Sequence, residues 1–127
     1  MKLGLTLPEQ YAAAASLSGA LDLVGIAKRR KGQGMDDEFR AVFGNARSLK
    51  GSEHDIYALA ERVIASGAPR PKLYLACGTE DGLLHDSRLF RRRYGKEFDL
   101  TYEEGPGIHN WDFWDIYIQK VLAWLPL

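Results

Sequence analysis

At 127 residues the chain falls short of the roughly 200 that a doubly wound α/β enzyme commonly needs in one unit, so it reads as one domain or part of one. A hydrophobic fraction of 46% excludes disorder, and 17 acids against 17 bases leave no net field to draw nucleic acid or an anionic membrane. No apolar run reaches the about 18 residues of a membrane span, the start lacks a signal-peptide pattern, and the single Cys77 forms no internal disulfide. A cytoplasmic, soluble chain is therefore expected, although a missing N-terminal portion would take any targeting signal with it.

In chain order, residues 1–8 read as the tail of a helix: Lys2-Leu-Gly-Leu-Thr-Leu is apolar and Pro8 stops it. A start methionine inside a helix tail is a hint of truncation. Tyr11 to Gly19 contains four alanines, yet it is short, apolar on both faces and held between Pro8 and Gly19. That combination suits a buried parallel strand better than a helix. Residues 25–52 are the least regular stretch, with glycines at 25, 32, 34, 44 and 51. Within them Asp36 or Asp37 is placed to cap a short helix through Phe43, closed by Gly44. The basic clusters Lys28 to Lys31 and Arg91 to Arg93 are short, flanked by acids, and read as solvated faces.

Ile56, Leu59, Ala60, Val63 and Ile64 fall on one helical face, and Gly67 ends that helix. Pro69 and Pro71 precede the uninterrupted apolar strand Lys72 to Cys77. A short helix is expected over residues 86–94, with Leu89 and Phe90 inward. A half-buried strand near the sheet edge is expected over Phe98 to Glu103. The last helix, from about Trp111 to Leu125, is predicted to bury Trp114, Ile118, Val121, Leu122 and Leu125. The alternation is that of an α/β fold with about three parallel strands and flanking helices.

Functional residues of open parallel sheets gather at the carboxyl ends of the strands. Asp81 lies just past the strand ending at Cys77, and His109 lies in the loop leaving the next strand. An acid followed by a histidine is the order of the second half of an α/β-hydrolase triad, where the carboxylate fixes the imidazole tautomer and steadies the imidazolium. On spacing alone two plainer readings stay open. Asp81 also suits a turn after Gly78, and His109 or Asn110 suits the cap of the last helix. No G-x-S-x-G occurs in the 127 residues, so no nucleophile accompanies the pair. Ser16 and Ser18 lack the spacing of that motif. Cys77 sits inside an apolar strand, where a free cysteine packs as a small hydrophobe. His54, His85 and His109 are not at metal-ligand spacing, so no metal is expected. The glycines at 32 and 34 lack the preceding strand and the Lys-Ser/Thr of a phosphate loop.

The whole chain resembles the C-terminal half of a bacterial esterase family of the α/β-hydrolase superfamily, which includes tributyrin-type esterases and is related to S-formylglutathione hydrolases. The resemblance runs through Lys2-Leu-Gly-Leu-Thr-x-Pro8, Ala12-Ala-Ala-Ala-Ser-Leu-Ser-Gly-Ala-Leu-Asp22, Val42-Phe-Gly44 and Gly51-Ser-Glu53. Its most specific parts are Leu73-Tyr-Leu-Ala-Cys-Gly-Thr-Glu-Asp81, Tyr102-Glu-Glu-Gly-Pro-Gly107 and His109-x-Trp-Asp-Phe-Trp-Asp115. It implies that Asp81 is the triad acid and His109 the general base, and no cofactor is expected; Trp111, Trp114 and Trp124 read best as packing of the last helix, with lining of an acyl pocket the alternative for Trp111 beside His109. Ile108 stands where relatives often carry glycine.

By the same resemblance the nucleophile elbow would precede the helix that survives as Lys2-Leu-Gly-Leu, and the oxyanion-hole donors would lie in that missing half. Residues 1–127 are thus expected to form a partial α/β-hydrolase domain with an irregular insert at about 25–52. Such a chain supplies the acid and base of a serine carboxylesterase acting on short-chain acyl esters, and is inactive alone. The alternative is an inactive half-domain: an association module or truncated gene product that meets a second copy or an N-terminal partner through the strand edge at 11–18.

Overall fold

A computed structural model describes residues 1–29 and 36–126. The elements are α1 (Lys2–Thr6), β1 (Ala13–Leu17), α2 (Leu23–Arg29), α3 (Asp36–Phe43), α4 (Ala46–Leu49), α5 (Ile56–Ser66), β2 (Lys72–Gly78), α6 (Leu84–Tyr94), β3 (Leu100–Gly105) and α7 (Trp111–Trp124).

The strands form one parallel sheet in the order β1-β2-β3. Ala15 pairs with Tyr74, and Tyr74 with Thr101. Alternation along the central strand divides the interior. Leu73 and Leu75 face a layer with Leu5, Leu59, Val63, Phe90 and Tyr94, whereas Tyr74 and Ala76 face Phe113, Tyr117 and Val121 of α7. Every β2 residue after Lys72 is buried, and every β1 and β3 residue is only half-buried. The unbroken apolar run of β2 is what a strand covered on both faces requires. Fully burying one such leucine stabilises the fold by about 1.5–3 kcal/mol.

Helix α5 starts at Asp55, whose carboxylate accepts the Tyr57 and Ala58 N–H groups at 3.1 and 3.2 Å and also that of Gly51 at 2.8 Å. It stops at Gly67, in the left-handed region. Gly44, with φ +72°, closes α3 as its position predicts. The expected cap at Asp36 or Asp37 lies at the border of the described residues, and the Gly32–Gly34 stretch lies outside them.

Four expectations are corrected. The insert is not one helix in an irregular stretch, because α2 and α4 flank α3 within or beside it. The Asp22 carboxylate accepts the Gly25 N–H at 2.8 Å near the start of α2, and Asn45 accepts the Arg47 and Ser48 N–H groups at the start of α4. Arg29 is not merely solvated: it donates to the buried Asp86 of α6 at 2.7 Å and to Asp22 at 3.4 Å. Helix α7 turns its Phe113, Tyr117 and Val121 stripe to the sheet, leaving Ile118 and Leu122 exposed at 43% and 58%. β3 also starts two residues later than expected, at Leu100. No described helix is long and apolar enough to cross a membrane.

Candidate active site

β2 ends at Gly78 and β3 at Gly105, paired side by side in register. Beyond them the two exit loops continue to hold each other: Thr79 N–H donates to the Gly105 carbonyl at 2.8 Å, and Glu80 N–H to that of Gly107 at 3.1 Å. The crossing is tight. A Cβ on Gly78 would lie 2.1 Å from the Gly107 carbonyl oxygen, and one on Gly107, at φ +146°, would lie 2.8 Å from the Phe113 ring. Only glycine satisfies both positions.

These loops bring Asp81 and His109 together, with His109 Nδ1 3.0 Å from Asp81 Oδ2. The acid is buried, its side chain 1% exposed, while the imidazole is 51% exposed. Asp81 is also the turn residue that its position suggested, since its Oδ1 accepts the Leu83 N–H at 2.8 Å. Asn110 caps α7 by accepting the Phe113 N–H, which leaves His109 free of that role. With a carboxylate accepting at Nδ1, the proton sits on Nδ1 and the Nε2 lone pair is available as a base. The Trp114 ring stands edge-on to the imidazole, centroids 4.9 Å apart.

Asp81 and His109 border a cavity of about 480 Å³, walled by Leu23 and Ile26 of α2, Phe39 and Phe43 of α3, and Leu83. Its size and apolar lining suit the carbon part of a small molecule. Trp111 is not among the residues lining it: this side chain is 74% exposed and packs edge-on against Trp114. Sequence reasoning missed the Phe39 and Phe43 wall. Their i, i+4 spacing in α3 was a usable signal.

Cys77 is fully buried, and burial pushes its thiol pKa up, which keeps it protonated and unreactive. Ser18 is buried at the end of β1 with φ +51°; its hydroxyl has no hydrogen-bond partner among the described residues. Among the described residues no cluster of His, Cys, Asp and Glu is placed to hold a metal ion.

A curated acetyl esterase from Caldicellulosiruptor saccharolyticus is 35% identical to the chain over 130 residues, covering 98% of the chain and 49% of that protein. The chain is similar to about half of that esterase and has the α/β-hydrolase fold of its C-terminal half. Two solved Staphylococcus aureus structures agree, each 30% identical and covering 97% of this chain and 48% of their own. One is an S-formylglutathione hydrolase apoenzyme, TM-score 0.80; the other is the fluorophosphonate-binding serine hydrolase F with substrate bound, TM-score 0.79. An S-formylglutathione hydrolase from Agrobacterium tumefaciens, 19% identical with TM-score 0.68 over 97% of this chain and 42% of its own, shares the fold. No family model matches the chain. The chain spans about half the length of these relatives, and its three parallel strands with flanking helices match the C-terminal half of an esterase α/β-hydrolase.

Proposed function

We propose that Asp81 and His109 are the acid and base of a serine-hydrolase triad acting on small-molecule acyl esters, with a nucleophilic serine supplied by a segment outside these 127 residues. The hydrogen bond between a buried carboxylate and a half-exposed imidazole, at the ends of adjacent parallel strands, carries this reading. In the reaction the serine hydroxyl attacks the ester carbonyl while His109 Nε2 takes its proton. His109 then passes that proton to the departing alcohol. A water attacks the acyl-serine, losing its proton to His109, which then returns that proton to the serine oxygen as the acid leaves. Asp81 holds the Nδ1 proton throughout and steadies the imidazolium.

In this reading residues 1–127 form a partial hydrolase domain, with the helices of the 25–52 insert on the rim of the acyl site. The single buried thiol at Cys77 fits a cytoplasmic setting. The test is to co-fold the chain with an esterase segment bearing G-x-S-x-G and to follow p-nitrophenyl acetate. Turnover should require both parts and vanish with His109→Ala. Robust turnover by the 127 residues alone, lost in His109→Ala, would place a nucleophile inside them.

β1 favours a second role beside the first. Among the described residues it is paired on one side only, and Leu3, Leu7 and Tyr11 next to it are 60%, 40% and 38% exposed. The free edge at 11–18 is a template for an N-terminal partner strand or a second copy. Sedimentation of the isolated chain as a sharp monomer with cooperative unfolding would count against it.

A further inference from the structure

Both backbone polar groups of Gly107 are held by one residue. Gly107 donates its N–H to Glu80 Oε2 at 2.7 Å, and its carbonyl accepts the Glu80 N–H at 3.1 Å. The carboxylate is itself held, accepting the Thr79 hydroxyl at 2.8 Å. The next residue, Asp81, takes the imidazole two positions beyond Gly107. Consecutive residues of one exit loop therefore grip alternate residues of the other, one by its backbone and one by its side chain. Gly107 lies beyond the last paired residues, Gly78 and Gly105, and the Glu80 carboxylate supplies the acceptor for its N–H.

We propose that Glu80 is a positioning residue for His109, fixing the Gly105–Gly107 loop so that the imidazole meets Asp81. Glu80 is exposed, makes no hydrogen bond to His109, and fills no core space, so stability of the fold gives no reason for a carboxylate there. The bond is short, and the Gly107 N–H also lowers the Glu80 carboxyl from its ordinary value. The inference rests on His109 being the working base, but its readouts require no turnover.

The test uses the 127-residue chain with Glu80→Gln, Glu80→Ala and Glu80→Asp, followed by amide exchange at Gly107 and by NMR titration of the His109 ring with its Nδ1–H signal. Glutamine keeps the reach and an accepting oxygen but loses the charge; aspartate keeps the charge but is one methylene too short. Geometry predicts that Gln behaves as the wild type. It predicts that both Ala and Asp speed Gly107 exchange by about tenfold or more and broaden or shift the Nδ1–H signal, with the unfolding midpoint unchanged. If Asp resembles the wild type and Gln resembles Ala, the carboxylate acts through its charge and positioning is wrong. An undisturbed His109 in all three variants also overturns it. Should the Glu80 variants behave as predicted while the complemented enzyme ignores His109→Ala, the positioning stands and the catalytic reading falls.

Discussion

Gly78 and Gly107 meet backbone to backbone, so closely that a single methyl on Gly78 would sit 2.1 Å from the Gly107 carbonyl oxygen. The relationship sets the spacing between the acid loop and the base loop. Gly78→Ala should push the loops apart, costing about 1–3 kcal/mol as overpacked sites do, and should lengthen the Asp81–His109 bond. A urea titration gives the first quantity and the His109 Nδ1–H resonance the second. An unchanged resonance would mean that the loops adjust independently.

Asp81→Asn keeps an oxygen for the Leu83 N–H but offers no carboxylate to the imidazole. Under the proposed mechanism the complemented enzyme should lose about 10⁴-fold in kcat, the scale of the corresponding change in a serine protease, with little change in unfolding. A loss below tenfold would show that the acid lies elsewhere.

The apolar walls of the cavity give a substrate prediction. Phe43→Ala removes packing against any carbon chain held beside His109. It should lower kcat/KM of the complemented enzyme for p-nitrophenyl butyrate more than for the acetate, by about fourfold per methylene that loses contact. Equal losses on both esters would remove α3 from the acyl site.

Arg29 is half-exposed, yet its partner Asp86 is buried with its side chain 3% exposed. Arg29→Met strands that carboxylate at neutral pH and should cost about 2 kcal/mol, below the 3–5 of a fully buried pair because water reaches the arginine. Burial pushes the Asp86 carboxyl up from its ordinary 3.8, the Arg29 charge opposing. An acid with a raised folded pKa favours folding most below its unfolded value and loses that advantage as pH rises through the folded value. The deficit of Arg29→Met should therefore shrink toward pH 4, which urea midpoints at pH 7 and pH 4 will measure.

Glu104 has the opposite sign. Arg88 and then Tyr102 hydrogen-bond to its carboxylate and hold it down to about 2, against an ordinary 4.5. Its contribution is present above about pH 4.5 and is lost as pH falls toward 2. The urea midpoint of the wild type should drop across that window more than that of Glu104→Gln; parallel curves would show the pair to be screened by solvent.

Local sequence announced what local physics controls. The apolar run of β2, the helical spacing of Ile56, Leu59 and Val63, and the glycine after each of α3 and α5 could each be read without knowing the fold, whereas the Asp81–His109 pairing needed the expected strand ends and the resemblance beside the spacing. What stayed hidden depends on partners distant in sequence. Arg29 looked solvated because Asp86 lies 57 positions away. The Ile118–Leu122 face of α7 looked like core because hydropathy outweighed the aromatic stripe that β2 selects through Tyr74. Glu80 drew no notice because an exposed glutamate in a turn carries no signal until Gly107 is seen beside it.

Asp81, His109 and the strands and helix that hold them all lie within residues 72–124. Dividing a hydrolase ahead of this stretch severs no bond between Asp81 and His109. Under the proposed mechanism, the two pieces made by that division would stay silent apart and turn over an ester where they meet. If that mechanism holds, a proximity reporter could be built on such a pair, its signal appearing on contact because the Asp81–His109 bond is already made.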